Sequence, residues 1–170
     1  IHKNFPRDRL TIVDAPDRVL PDAPPSTVLR KKPNSSIVIG LTMHQKGEVD
    51  SFISAGSTGA VMAASWLILR PLPGVDRPAI GTLLPTAKGP LLLLDAGANV
   101  DCKPHQLIQF AHLGKVYAED LMEINEPRIG LLNIGEEPTK GNELSIAVHK
   151  GLMESELNFI GNIEGRGIVE

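Results

Sequence analysis

Apolar positions along the chain fall into short runs broken by polar, glycine-bearing and proline-bearing stretches. Leu10 to Asp14 reads as a short strand. The stretch holding Pro16, Pro21, Pro24 and Pro25 reads as a loop, because proline fixes φ and removes a backbone donor. Ser35 or Ser36 can cap a helix on which Val38, Leu41, Thr42 and Gln45 recur at helical spacing until Gly47 stops it. Ser51 to Ser54 predicts a buried strand, Thr58 to Leu69 a helix, and Ala79 to Leu84 and Leu91 to Asp95 two more strands. A long helix opens at Pro104, with Leu107, Phe110, Ala111, Gly114, Tyr117, Ala118 and Leu121 on one face. Ile129 to Ile134, Asn142 to Met153 and Asn158 to Ile163 then predict strand, helix and strand.

Strands rich in Leu, Ile and Val without polar alternation, separated by helices, point to an α/β fold with a mostly parallel sheet and helices on both faces. No repeat or clear linker interrupts the pattern, so a single α/β domain over residues 1–170 is expected. Composition adds exclusions. A net charge of −3, with no basic run longer than Arg30-Lys31-Lys32, gives no footprint for nucleic acid. The lone cysteine, Cys102, excludes an internal disulfide framework and a cysteine metal cluster, and fits a reducing cytoplasm. The longest apolar runs fall well short of the roughly 20 residues that span a bilayer. No signal-peptide pattern opens the chain, which starts at Ile1 rather than methionine and reads as a piece of a longer protein.

Polar residues and glycines gather where the predicted strands end, the place where open α/β sheets bind ligands. Ser54, Gly56, Ser57, Thr58 and Gly59 form a strand-to-helix turn whose amides and hydroxyls suit a phosphate dianion; a plain Gly-Ser helix cap is the other reading. Asp95, Asn99 and Asp101 follow the most apolar strand and offer acid/base or positioning groups, or else an Asx-rich turn. Asn133, Lys140, Gly141 and Asn142 make a third strand-end loop, with Lys140 as its cation and Glu136 and Glu137 as salt-bridge partners or solvated turn residues. The five histidines show no HExxH or close metal-ligand pair, so no metal is expected. Cys102 reads as a structural thiol rather than a covalent acyl carrier.

Several long segments resemble the PlsX-type phosphate acyltransferases of bacterial lipid synthesis. They are RKKPNSSIVIG from Arg30, ISAGSTGAVMAAS from Ile53, GVDRPAIGTLLPT from Gly74, LLLLDAGANVDCKPHQLIQFA from Leu91, PRIGLLNIGEEPTKGNEL from Pro127 and NFIGNIEGR from Asn158. Ser57 stands where that family usually carries asparagine, and the family's DxMGGD and DGFTGNV motifs are absent, so the chain corresponds to the central part of a family member. The resemblance implies a fold akin to the isocitrate and isopropylmalate dehydrogenases. It also implies a homodimer that takes acyl carrier protein and inorganic phosphate as substrates and needs no cofactor, acting in the cytoplasm with peripheral contact to membrane or to a downstream acyltransferase left open. In that setting Ser54 to Gly59 and Lys140-Gly141-Asn142 would bind phosphate, Asn99 and Asn133 would orient the thioester carbonyl, and Asp95 and Asp101 would do acid/base or positioning work. Two alternatives stay open: a phosphotransacetylase-like transfer of a short acyl group from coenzyme A, and an inactive scaffolding fragment.

Overall fold

A computed structural model describes residues 7–20, 24, 28–97 and 99–168. They divide into two compact units, Ile1–Pro71 and Leu72–Glu170.

The first unit is helical, with α1 at Val28–Lys31, α2 at Ser36–Gln45 and α3 at Thr58–Ile68. Ser35 caps α2 by accepting the Val38 amide at 3.5 Å, and Ser57 caps α3 by accepting the Ala60 amide at 3.4 Å, as their positions before apolar runs predict. Ala60 and Ala64, one helical turn apart and fully buried, give α3 a low face on which Ile37 and Leu41 of α2 pack, with Ile68, Phe52 and Val61 closing the core. Gln45 Nε2 donates to the Ile68 carbonyl and ties the two helix ends together.

Two expected strands do not form. Leu10–Asp14 and Ser51–Ser54 have no regular structure; Ile12 is 83% and Ile53 92% exposed. A β-rich run becomes a strand only where a neighbour takes its backbone donors and acceptors, and among the described residues neither run has one. The nearest ladder is a single parallel bridge from Asp17 to Ser35, where Asp17 Oδ2 accepts the Asn34 amide at 2.9 Å. Part of the proline-rich stretch, residues 21–23 and 25–27, lies outside the described residues.

The second unit runs β1 (Gly81–Thr86), β2 (Gly89–Leu94), α4 (Pro104–Leu121), β3 (Ile129–Leu132), α5 (Glu143–Met153) and β4 (Phe159–Ile163). β1 and β2 pair antiparallel from Gly81↔Leu94 to Thr86↔Gly89, so the mostly parallel expectation does not extend to them. The reason is chain length: two residues, Ala87 and Lys88, join the strands, which permits a hairpin and forbids the dozen or more residues of a parallel crossover. β3 and β4 do pair parallel, with α5 as the crossover. The fold is α/β, with one antiparallel and one parallel two-stranded sheet among the described residues.

Val148 and Leu152 of α5 and Leu157 form the buried centre of this unit, covered by Leu107, Ile108 and Ala111 of α4 and by Ile129, Leu131 and Phe159. Close approach is set by a small residue on α4: a Cβ on Gly114 would lie 2.7 Å from Leu94 Cδ1 of β2. The β3–β4 register shifts between Ile129↔Phe159 and Leu131↔Asn162, a bulge at Gly161, whose φ is +97°. Residues three apart on a regular strand face opposite ways, but the extra bulge residue brings Phe159 and Asn162 to the same face, where both meet α5.

Candidate functional site

The first strand-end cluster lies in the helical unit. Gly56 donates its amide to Ser54 Oγ at 3.1 Å and the Ser57 hydroxyl oxygen accepts as the α3 cap. Thr58 and Gly59 supply the first two helical amides of α3, for which no acceptor stands among the described residues. What this turn can offer a ligand is therefore backbone N–H together with the hydroxyl hydrogens of Ser54, Ser57 and exposed Thr58 at the positive end of a helix. Both serine oxygens accept an amide and keep their hydroxyl hydrogen as a donor.

The second cluster follows β2. Asp95 has φ +64°, a left-handed conformation that aspartate tolerates, and its amide donates to the Ile80 carbonyl at 2.8 Å. The turn aims its carboxylate at two donors: Asn99 Nδ2 at 2.7 Å on Oδ1 and the Cys102 thiol at 3.7 Å on Oδ2. Asn99 Nδ2 also donates to the Pro78 carbonyl at 3.0 Å. Since a carbonyl and a carboxylate can only accept, the amide nitrogen must face them, both its hydrogens are used, and Asn99 keeps only its Oδ1 acceptor for a ligand. Among the described residues Asp101 takes part through its backbone, its carbonyl accepting Arg77 Nη1 at 2.9 Å. Ala98 lies outside the described residues.

Burial, then the Asp95 charge and its hydrogen bond, push the Cys102 thiol above its ordinary range, against a smaller opposing pull from Arg77. A protonated thiol is a poor nucleophile, which supports the structural reading of Cys102.

The third cluster is a loop from β3 to α5, held from inside. Asn133 Oδ1 accepts the Ile134 amide at 2.9 Å and Nδ2 donates to the Lys140 carbonyl at 3.0 Å, leaving one Nδ2 hydrogen uncommitted among the described residues. Lys140 donates its amide to the Glu137 carbonyl at 3.0 Å, closing a turn. Gly141, at φ +92°, runs so close to Asn133 that a Cβ there would sit 2.6 Å from Oδ1, and Asn142 caps α5 by accepting the Ser145 amide at 3.0 Å. The Lys140 ammonium extends from this frame, 3.9 Å from Glu137 Oε2, with both side chains about half exposed or more.

Thus Asp95 meets Asn99, and Asn133 meets the Lys140–Asn142 segment, while no hydrogen bond among the described residues joins the second cluster to the third. Arg77 escaped the reading of the sequence: it is a second cation at a strand-end cluster, 24 residues from the carbonyl it touches. Its loop is pinned to α4 by His105 on Asp76 at 2.8 Å and by Gln109 on the Gly74 carbonyl at 2.9 Å. Asn162 and His149 lie outside the three strand-end clusters, although an asparagine inside the apolar run Phe159–Ile163 is a signal, because a buried amide needs partners.

An open cleft of about 400 Å³ beside the third cluster is lined by Glu136, Glu137, Glu164 and Arg166. Three carboxylates to one guanidinium do not suit a dianion, and Lys140 is not among the lining residues. Among the described residues no group of His, Cys, Asp and Glu is arranged to hold a metal, and no helix is long and apolar enough to cross a membrane.

A family model described as "Fatty acid synthesis protein" matches residues 1–170. Proteins named "Phosphate acyltransferase" from Desulforamulus reducens, Salinibacter ruber and Heliobacterium modesticaldum are 54%, 52% and 54% identical to the chain, over 94%, 94% and 95% of its residues. Those alignments take in 48% of each relative, so the chain spans about half the length of the curated relatives it matches.

Proposed function

We propose, since the chain belongs to the fatty acid synthesis protein family, that the full-length protein moves a fatty acyl group from the thioester of acyl carrier protein to inorganic phosphate. The observation that carries this is the match, across nearly all of the chain, to proteins named for phosphate acyltransfer. A phosphate oxygen bonds to the thioester carbonyl carbon, the carbon–sulfur bond breaks, and the carrier leaves as a thiolate that takes up a proton. The balance closes with no cofactor. The protein's tasks are to hold phosphate, stabilise the tetrahedral oxyanion and settle the leaving thiolate.

Two sets of donors support the phosphate assignment, each within its own unit. One is the Ser54–Gly59 turn, through the amides of Thr58 and Gly59 and the hydroxyls of Ser54, Ser57 and Thr58; the other is Lys140, Gly141 and Asn142, with an ammonium over a braced loop. Asn133 retains a donor hydrogen for the thioester carbonyl, whereas Asn99 retains an acceptor, suited to a ligand N–H or to the hydroxyl of a protonated phosphate. Asp95, with both oxygens engaged, acts as a positioning carboxylate; exposed Asp101 is the candidate for proton transfer. The resemblance further supports a homodimer in the cytoplasm, with peripheral membrane or downstream acyltransferase contact. It also supports a mostly parallel, dehydrogenase-like sheet in the whole protein, to which this chain contributes as one domain.

The test is product formation by the full-length protein. Acyl carrier protein bearing a long acyl chain, with phosphate, should yield acyl phosphate that hydroxylamine traps as a hydroxamate, without added metal or nucleotide. Faster turnover of a short acyl-coenzyme A would establish the phosphotransacetylase-like reading. No acyl phosphate from either donor would leave the scaffolding reading.

A further inference from the structure

We propose that His149 is a positioning residue which, through Asn162, holds the turn that presents Lys140. This rests on the reading of Lys140 as a phosphate ligand and adds a buried support that neither the motifs nor the relatives assign.

The geometry is a chain of polar groups inside an apolar layer. His149 on α5 is 9% exposed and Asn162 on β4 is 6% exposed. His149 Nδ1 lies 3.0 Å from Asn162 Oδ1, and Asn162 Nδ2 lies 2.8 Å from the Glu137 carbonyl oxygen. The direction of the chain follows from chemistry. A carbonyl only accepts, so the amide nitrogen of Asn162 must face Glu137; its oxygen then faces His149, and His149 must donate from Nδ1. The imidazole is thereby fixed with its proton on Nδ1, and Phe159, edge-on at 5.2 Å and 75°, holds the ring plane.

The Glu137 carbonyl receives two donors, Asn162 Nδ2 and the Lys140 amide at 3.0 Å. Its two lone pairs are filled, one by the turn itself and one by the buried chain. The Lys140 carbonyl is held by Asn133. Both backbone groups of Lys140 are thus anchored beside the β3–β4 sheet, the carbonyl by Asn133 and the amide through Glu137 and Asn162, which His149 of α5 braces from behind. The bulge at Gly161 makes this possible, because in its absence Asn162 would turn away from His149.

The experiment uses the full-length protein. Nitrogen-15 spectra of the histidine rings should show His149 with the proton on Nδ1; a proton on Nε2 overturns the chain. His149→Phe removes the donor while keeping an aromatic ring beside Phe159. It should raise the apparent KM for phosphate about two- to tenfold, the loss of one buried hydrogen bond, with the KM for acyl carrier protein unchanged. His149→Asn, which returns an N–H near the Nδ1 position, should restore phosphate KM and keeps the test open if the phenylalanine variant does not fold. In the Lys140→Met background His149→Phe should add little further loss, because it acts through Lys140. Additive losses, or equal rises for both substrates, overturn the positioning role. A Lys140→Met protein with unchanged phosphate dependence overturns the phosphate assignment itself, and this inference with it, whatever the ring tautomer.

Discussion

Replacing Lys140 by methionine separates a role in stability from a role in binding. Among the described residues the ammonium pairs with one carboxylate, Glu137 at 3.9 Å, with side chains 48% and 63% exposed. Water screens such a pair, so its loss should cost no more than about 0.5 kcal/mol of stability. The aliphatic stem has a second role: it covers Gly135, where a Cβ would come within 2.7 Å of Lys140 Cγ. Methionine keeps that stem, and the backbone anchors at Glu137 and Asn133 do not depend on the side chain. A charge-assisted bond to phosphate, by contrast, contributes roughly 1.5–3 kcal/mol. Apparent phosphate affinity should therefore fall about ten- to a hundredfold while the urea midpoint scarcely moves. Initial rates against phosphate concentration at saturating acyl carrier protein, with hydroxamate as readout, measure the first quantity. Added salt should weaken phosphate binding more in the parent than in the variant. Unchanged phosphate dependence would refute the assignment and leave Lys140 as a surface partner of Glu137; equal weakening for both substrates would indicate a disturbed loop.

Gly141→Ala places a side chain at φ +92° against Asn133, so it should destabilise the protein by about 1–2 kcal/mol or more in urea unfolding and raise phosphate KM as well. Cys102→Ala should keep most activity. In the parent, the raised thiol makes iodoacetamide labelling of the folded protein slower at mildly alkaline pH than labelling in urea, the gap closing as pH rises through the folded value. The associated stability is present below the ordinary thiol range and is lost as pH climbs through that raised value. Asp95→Asn keeps the left-handed turn but presents a donor to Asn99 or to Cys102, and should lower kcat roughly tenfold with little change in secondary structure by circular dichroism.

The helices were legible because their signals are local. Ser35, Ser57 and Asn142 each stand just before an apolar run and each accepts an amide three residues on, and Pro104 opens α4. Strand pairing was less so: the apolar runs Ala79–Leu84 and Leu91–Asp95 leave six residues between them, and only the extension of the strands to Thr86 and from Gly89 shortens the connection to Ala87 and Lys88 and makes a hairpin. The run Ser51–Ser54 reads as a strand because Phe52 and Ile53 make a short apolar run, yet only Phe52 packs on the core, Ile53 faces solvent and no ladder forms among the described residues. In the candidate site, Asp95 and Asn99 stand four residues apart in one strand-end motif, so their pairing is legible in the sequence. Arg77 with Asp101, and His149 with Asn162, are brought together by the packing of α4 and by a bulge, neither of which leaves a spacing pattern along the chain.

The physical character of the strand-end loops follows from how their amides are spent. An asparagine has two donor hydrogens and one acceptor oxygen, and what the fold consumes determines what a ligand can meet. Asn99 gives both hydrogens to Pro78 and Asp95, so it presents an acceptor; Asn133 gives one to Lys140 and spends its oxygen on Ile134, so it presents a donor. Asn162 spends one hydrogen and its oxygen inside the protein and is buried, so it presents nothing and serves only to hold the turn. The same residue type therefore has three different roles, each set by its neighbours. An exchange to aspartate should distinguish them. At Asn162 it places an oxygen against the Glu137 carbonyl and a charge in an apolar layer, which predicts loss of fold. At Asn133 it replaces the donor with a charge facing the Lys140 carbonyl, which predicts weakened phosphate binding in a protein that still folds. Phosphate KM together with the urea midpoint for the two variants decides the matter: a folded Asn162→Asp protein with ordinary phosphate binding would refute the assignment of Asn162 as the inner support of the loop.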